Sequence, residues 1–293
     1  MPGTLLIVGC GYLGEHLLRL AQASGWRVLV TSRSPERCQR LQSLGAQAIP
    51  CEVPHPGDVA RLPDAAVLVY AVSLSTAEHL GDSPAWLSGL QLLLSRWQEQ
   101  PSRWRRFVLL SSTSVYAQNN EKWVSESDPT EPISLSGRIS LQGEAAAQQA
   151  RDWGGEVVVA RLSGIYGPGR VVYARQFREQ LPLLADPNGW LNLIHVEDAA
   201  RAILALVDTR QPDLVYNITD DEPVRRYDYW QALSRWLGLP IPPVQSRPID
   251  SPVNRRISNA KLKRDLGLTW LYPSYRMGVP HSLALTSAAA TGL

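Results

Sequence analysis

Gly9-Cys10-Gly11-Tyr12-Leu13-Gly14 sets three glycines at the spacing GxGxxG, a pattern that can cradle a pyrophosphate. The first glycine allows a tight reversal. The second lets the backbone approach phosphate oxygens with no Cβ in the way, and the third lets the next helix pack closely on the preceding strand. The second chemical feature is Ser32-Arg33-Ser34. A site for NAD would carry an Asp or Glu there to bind the ribose hydroxyls, about 20 residues beyond the glycines. A guanidinium between two hydroxyls instead suits a 2′-phosphate through charge-assisted hydrogen bonds, which favours NADP over NAD. The competing reading is a solvated Arg at the start of the helix that Pro35 opens.

A glycine turn taken alone is weak evidence, so its flanks decide. Leu5-Leu6-Ile7-Val8 is an all-apolar run of the kind a parallel strand buried on both faces requires. Leu13, Leu17, Leu18, Leu20 and Ala21 then fall at helical spacing, which puts the pyrophosphate on the amino end of a helix, with Tyr12 and Leu13 in its first turn. Arg27 to Thr31 predicts a second strand and Ala46 to Ile49 a third, with Glu52 and Val53 just past it facing the adenine. Ala65 to Val72 predicts a fourth, ending at Ala71-Val72-Ser73 close to the cofactor.

Further along, a helix is expected from about Ala85 to Gln98, a strand over Phe107 to Leu110, a polar loop from Gln118 to Pro132, an Ala-rich helix from about Gly137 to Arg151, and a strand over Val157 to Ala160. This alternation predicts an α/β fold, a Rossmann-type doubly wound parallel sheet. Beyond Arg161 the glycines, prolines and aromatics predict a smaller C-terminal substrate region. One apolar-striped helix, Glu197 to Val207, and one strand, Leu214 to Asn217, return to the sheet. The expected division is 1–165 plus 190–220 for the cofactor domain and 166–189 plus 221–285 for the smaller region, with a frayed tail at 286–293.

Composition agrees with this picture. At 293 residues and 44% hydrophobic the chain can bury a large core and is long enough for about two domains. A net charge of +2 supplies no basic field for nucleic acid, and Arg103, Arg105 and Arg106 read as a solvated lead-in to a strand. Three cysteines without ligand spacing predict reduced thiols and no metal. No basic leader or cleavage site is evident, and no apolar run exceeds Ala65 to Val72, so a cytoplasmic protein with no membrane partner is expected.

Four segments carry a resemblance. Gly9-x-Gly11-x-x-Gly14, Ser111-Ser112-Thr113-Ser114-Val115-Tyr116, Arg161-Leu162-Ser163-Gly164-Ile165-Tyr166-Gly167-Pro168-Gly169 and Ile194-His195-Val196-Glu197-Asp198 resemble the extended short-chain dehydrogenase/reductase superfamily, in its NAD-dependent epimerase/dehydratase group. Arg256 to Leu262 and Tyr272-Pro273-Ser274-Tyr275 are similar to the end of the same family. The resemblance covers nearly the whole chain. It implies an active site in which a Ser or Thr polarises a substrate hydroxyl or carbonyl, a Tyr acts as general acid/base, and a Lys lowers the phenol's pKa and holds the nicotinamide ribose.

Carried over, the Ser matches Ser112, with Ser114 as a neighbouring hydroxyl, and Ser163 falls in a motif beside the cofactor. Where the family reads Tyr-Gly-x-Ser-Lys-x-x-x-Glu, this chain reads Ser136-Gly137-Arg138-Ile139-Ser140-Leu141-Gln142-Gly143-Glu144. Gly137 and Glu144 keep the register, so the Tyr and Lys positions hold Ser136 and Ser140. This departure resembles the atypical, YeeZ-like members of the superfamily.

A serine hydroxyl does not titrate near neutrality and cannot supply the hundredfold to ten-thousandfold, in order of magnitude, that a general acid contributes. No tyrosine occurs between Tyr116 and Tyr166. Tyr116 reads as a packed aromatic, His195 as a brace for the following helix, and Arg161 and Arg170 as either anion ligands or salt-bridged side chains. Three functional readings follow: an NAD(P)-dependent reductase, epimerase or dehydratase acting on a hydroxyl or carbonyl of a small-molecule substrate, a nucleotide sugar among them; a cofactor-sensing binding protein without turnover; and an interaction scaffold, which an intact glycine turn disfavours. The substrate is expected in the crevice bounded by Ser73, Ser112 to Ser114, Ser163 to Ile165 and the second region.

Overall fold

The computed structural model describes residues 3–74, 84–100, 104–210, 212–245 and 254–291. The chain begins β1 (Thr4–Val8), α1 (Tyr12–Ala23), β2 (Arg27–Ser32), α2 (Pro35–Ser43), β3 (Gln47–Pro50), α3 (Pro56–Ala60), β4 (Val67–Tyr70), α4 (Pro84–Glu99), β5 (Arg106–Ser112), β6 (Trp123–Val124), α5 (Leu135–Gln149) and β7 (Glu156–Leu162). It continues β8 (Gly164–Tyr166), α6 (Ala174–Glu179), β9 (Trp190–Leu191), β10 (Leu193–His195), α7 (Val196–Asp208), β11 (Val215–Ile218), β12 (Val224–Arg225), α8 (Arg226–Leu237), β13 (Arg256–Ile257), α9 (Ala260–Leu266) and α10 (Tyr275–Thr291).

Seven strands form one sheet in the order β3-β2-β1-β4-β5-β7-β11. β1 pairs in parallel with β2 and with β4, β2 with β3, and β4 with β5. Leu5 to Val8 and Val67 to Tyr70 are wholly buried, because helices cover both faces of a parallel sheet. From β1 the chain winds outward through β2 to β3 and then crosses back to β4, so strand order reverses between β1 and β4. Doubly wound sheets bind ligands at such a point, beyond the carboxyl ends of the strands.

The chain divides into two compact units. The first comprises Met1–Val115, Ser134–Arg161 and Ala200–Tyr216, and the second Tyr116–Ile133, Leu162–Ala199 and Asn217–Leu293. Within the first, Leu6, Val8, Leu68, Tyr70, Trp86, Leu90, Phe107, Leu109 and Val159 belong to one apolar core. Arg106 corrects the expectation of a solvated lead-in, since it is fully buried. Its Nε and Nη2 donate to Glu156 Oε2 at 2.9 and 2.7 Å, and its Nη1 donates to the carbonyls of Leu206 and Val207 at 2.7 and 3.0 Å. One guanidinium thus compensates a carboxylate on β7 and closes the carboxyl end of α7, where helix carbonyls lack partners of their own. Arg105 is exposed, and Arg103 lies outside the described residues.

The second unit has its own core of Tyr166, Phe177, Leu193, Tyr229, Trp230, Tyr275 and Val279. Its strands are short pairs: β8 with β10, β9 with β12, and β6 with β13. Asp198, fully buried, accepts from the backbone N–H groups of Leu271 and Tyr272 at 2.8 and 2.7 Å. Where the sequence reads a frayed tail, α10 continues to Thr291, with the Thr286 and Ser287 hydroxyls donating to carbonyls one turn back. Asp220 is 1% exposed. Its Oδ1 accepts from Glu222 N, while Oδ2 has no partner among the described residues. Burial raises its pKa well above the usual value, and the neighbouring charges of Asp221, Glu222 and Asp198 add to the rise.

Two expectations follow. Arg106→Ala takes the donor from the carbonyls of Leu206 and Val207 and two hydrogen bonds from the Glu156 carboxylate, and should lower the unfolding free energy by about 3 kcal/mol, read by urea titration. Asp220 has a folded pKa above its unfolded one, so the fold binds the proton more tightly and stability falls as pH rises from the unfolded pKa through the folded one. Asp220→Asn removes that ionisation. It should raise the melting temperature at pH 8 by about 2 °C or more and shrink the difference between pH 5 and pH 8.

Candidate active site

The glycine turn is built by β2. Gly9 has φ +82°, a conformation open to glycine at little cost, and its N–H donates to Thr31 Oγ1 at 2.9 Å while Cys10 N–H donates to Thr31 O at 2.8 Å. A Cβ on Gly9 would stand 2.8 Å from Val72 Cα, and one on Gly14 3.1 Å from Cys10 Sγ. A Cβ on Gly11 would meet only Gly9 O, 4.0 Å away. The first and third glycines are therefore required by packing, whereas the second faces open space beside the amino end of α1, whose cap has no side-chain hydrogen bond. That unfilled cradle fits a pyrophosphate.

A cavity of about 330 Å³ opens there. Of the expected cofactor residues, Gly9, Gly11, Ser32, Arg33, Glu52, Val53, Ala71 and Ser73 line it. Tyr12, Leu13 and Gly14 do not: Tyr12 meets the His16 ring edge-on at 5.4 Å, and Leu13 and Gly14 are buried in α1. Ser163 belongs to the second unit, where its N–H donates to Ile218 O at 3.0 Å and its buried Oγ has no partner among the described residues.

Cavity residues that the sequence did not point to include Cys10, Cys51, Arg37 and Trp86. Burial pushes the Cys10 thiol up to about 12 and the Cys51 thiol to about 11, so both are neutral and neither repels a phosphate. Arg37 donates through Nε to Cys10 O at 2.8 Å and through Nη2 to Glu15 Oε1 at 2.6 Å, and Arg40 holds Glu15 Oε2 at 2.9 Å. The carboxylate of Glu15 thus fixes Arg37 in the cavity wall. Arg33 is exposed and makes no ion pair among the described residues. Ser34, one of the two hydroxyls flanking it, is committed to capping α2, accepting from Arg37 N at 3.2 Å. Trp86 is 2% exposed, and its Nε1 donates to Val72 O at 3.0 Å. A Cβ on Gly143 would lie 2.4 Å from the Trp86 ring, so that glycine on α5 is what admits the indole. Gly143 is the signal that could have revealed it.

Ser112 ends β5, and its Oγ accepts from Ser114 N at 3.1 Å. Ser114 Oγ, in the 3₁₀ turn Thr113–Val115, is buried with no partner among the described residues. α5 packs against both β5 and this turn. Ser134 caps α5 by accepting from Gly137 N at 3.1 Å, and Ser136 Oγ sits 3.3 Å from Ser134 Oγ. Ser140 is fully buried and its Oγ is unpartnered among the described residues. It stands in packed interior.

Glu144, one turn on, is also buried. It accepts from Ser111 Oγ at 2.5 Å and, through both oxygens, from Arg161 at 2.6 to 3.2 Å. Arg161 is therefore a salt-bridged side chain and not an anion ligand. In the second unit, Tyr116 is 1% exposed and donates to Asn217 Oδ1 at 3.0 Å, a packed role. His195 is fully buried, its Nδ1 accepting from Glu197 N and its Nε2 facing Ser282 Oγ, each at 3.3 Å. It braces the start of α7.

Residues 5–219 match the NAD dependent epimerase/dehydratase family. The chain belongs to that family. It is similar to Protein YeeZ of Escherichia coli strain K12, 28% identical over 277 residues that cover 91% of this chain and 95% of that protein. It is 26% identical over 247 residues to the 4-hydroxy-2-methyl-3-oxo-4-farnesyl-3,4-dihydroquinoline-1-oxide ketoreductase of Stigmatella aurantiaca, covering 80% and 73% of the two chains. Among solved structures, a putative NAD-dependent epimerase/dehydratase from Methylobacillus flagellatus superposes with a TM-score of 0.78 at 30% identity, covering 98% of this chain and all of that one. Within this family the cavity at the glycine turn is the place for a nicotinamide dinucleotide. Among the described residues no helix is long and apolar enough to cross a membrane.

The open cradle at Gly11 separates binding from folding. Gly11 has φ −91° and ψ −154°, which any residue adopts. Gly11→Val should therefore leave the melting temperature nearly unchanged while weakening dinucleotide binding at least about tenfold, because the side chain occupies the pyrophosphate's space. Calorimetric titration alongside thermal melting checks both halves.

Proposed function

We propose that this protein is an NADP(H)-dependent oxidoreductase acting on a carbonyl or hydroxyl group of a small molecule, with a site that positions the reactants but supplies no titrating acid. The observation that carries the cofactor choice is the end of β2. Arg33 stands exposed at the cavity with no carboxylate partner among the described residues, and Arg37 is held in the cavity wall by Glu15. Two guanidiniums there suit a 2′-phosphate, and β2 ends without the carboxylate that would accept from the ribose hydroxyls of NAD.

For the chemistry, Ser112 and Ser114 offer hydroxyls to polarise the substrate oxygen. A bound dihydronicotinamide would supply hydride to the carbonyl carbon in the reducing direction, and the oxygen would take its proton from water or from the substrate itself. The ketoreductase among the relatives supports a carbonyl substrate, and nucleotide sugars stand beside simple ketones and aldehydes as candidate classes. One observation favours a second reading. Ser112, Ser114, Ser136 and Ser140 include no group that titrates near neutrality, as a protein that senses NADP(H) without turning it over would require.

Arg33→Asp removes a charge-assisted pair and adds repulsion, and should reverse the cofactor preference by about a hundredfold or more. Calorimetry with NADPH and NADH reads this, and equal or tighter NADH binding by the unaltered protein would sink the assignment. NADPH oxidation over a panel of nucleotide sugars, ketones and aldehydes should stay below about one turnover per second, the lower end for working enzymes. A faster rate would mean that an acid other than these serines serves the site. No oxidation of any panel member, with NADPH still bound, would favour the sensing reading.

A further inference from the structure

Behind the wall of the dinucleotide cavity lies a buried carboxylate that two helices share. Glu15, in the first turn of α1, is 9% exposed. Two guanidiniums from α2 hold it, Arg37 Nη2 at 2.6 Å from Oε1 and Arg40 Nη2 at 2.9 Å from Oε2. Residues three apart on a helix are neighbours, so one face of α2 delivers both side chains to α1. Arg37 lines the cavity, whereas Glu15 and Arg40 do not. We propose that Arg40 is a specificity-determining residue acting from outside the cavity, keeping the Arg37–Glu15 pair positively charged so that Arg37 attracts a 2′-phosphate. This role rests on the NADP(H) reading of the site.

Arg37 has a donor to spare. Its Nε is committed to Cys10 O at 2.8 Å and its Nη2 to Glu15, while its Nη1 has no partner among the described residues. A free donor is not a free charge. With Glu15 as its sole neighbour, the guanidinium would be cancelled by the carboxylate, and an approaching anion would meet a neutral pair. Arg40 takes the second carboxylate oxygen. The three groups together therefore carry one net positive charge, and its attraction for an anion falls off only as the inverse of distance.

The place of Glu15 makes this compensation matter. A buried carboxylate is costly unless it is paired, and this one stands at the amino end of α1, where the cradle at Gly11 opens. An acid left partly uncompensated there would oppose phosphate. The pyrophosphate is common to NADPH and NADH, so its share of the penalty falls on both. The 2′-phosphate adds about two negative charges on the Arg37 side, so loss of Arg40 weighs more on NADPH. Arg40 itself has 65% of its side chain in solvent, which limits a single charge there to a small factor.

The test is a charge series at one position. Dissociation constants for NADPH and NADH are measured by calorimetry on the full chain and on Arg40→Lys, Arg40→Gln and Arg40→Glu, at about 20 mM and about 500 mM salt. Arg40→Lys keeps the charge and should keep the preference. At low salt Arg40→Gln should weaken NADPH about threefold and Arg40→Glu about tenfold, with NADH changed less than about twofold in each. The steps should shrink at high salt. Melting of the cofactor-free variants should match the unaltered protein within about 2 °C, and if Arg40→Glu fails that check, Arg40→Gln carries the comparison. Equal weakening of NADPH and NADH, or an NADPH affinity that stays fixed across the series, would overturn the role of Arg40 and leave the cofactor assignment standing. An unaltered protein that does not prefer NADPH would overturn both.

Discussion

Gly9 has no room for a methyl group, and the cofactor site depends on that. Its left-handed backbone, held by Thr31 Oγ1 and pressed against Val72, lets β1 stop at the point where strand order reverses. From there the chain enters α1, whose amino end stands at the cavity. The end of β2 does more than pair with β1. Thr31 sets the turn, and α2, beginning just beyond it, returns Arg37 to bond Cys10 O on one side and Glu15 on the other. The glycine turn and the Arg37 side chain in the cavity wall are thus braced by one another. A fixed guanidinium loses less entropy on binding than a free one.

Around α5 the scaffold rests on one buried group. Glu144, Arg161 and Ser111 form a closed, buried group that joins α5, β7 and β5. Removing one partner of such a buried pair costs about 3–5 kcal/mol, so the helix that would have presented a Tyr and a Lys stays in register whatever occupies those positions. Ser140 shows the consequence. Its position is retained, yet its hydroxyl ends in packed interior without a partner among the described residues.

Much of the architecture was legible because it is written in short-range rules. Strands buried on both faces read as apolar runs, and glycines at a tight turn must be glycines. The parallel sheet and the belonging of the chain to its family followed from those. What stayed hidden depended on contacts across the chain. Arg106 reads as one member of an exposed basic cluster until Glu156 and the end of α7, 50 and 100 residues away, converge on it. Trp86 reads as a core aromatic until Gly143 makes room for it beside the cofactor cavity. Arg37 carries no local signal, because Glu15, which turns it inward, lies on a different helix. The polar loop after Tyr116 carries no periodicity, so nothing local places it in the second unit. α10 reaches Thr291 through a stretch whose small side chains resemble a frayed end.

The central claim is that Arg33 and Arg37 hold the 2′-phosphate of NADP. The most direct measurement is the ³¹P resonance of that phosphate in bound NADP⁺, followed from acid to neutral pH. Free phosphate monoesters take their second charge near a pKa of about 6. Between two guanidiniums the dianion is favoured, so the bound resonance should sit at the dianion position and titrate well below that value, returning toward it in Arg33→Ala. A bound 2′-phosphate that titrates like the free one, unchanged by loss of Arg33, would contradict the account.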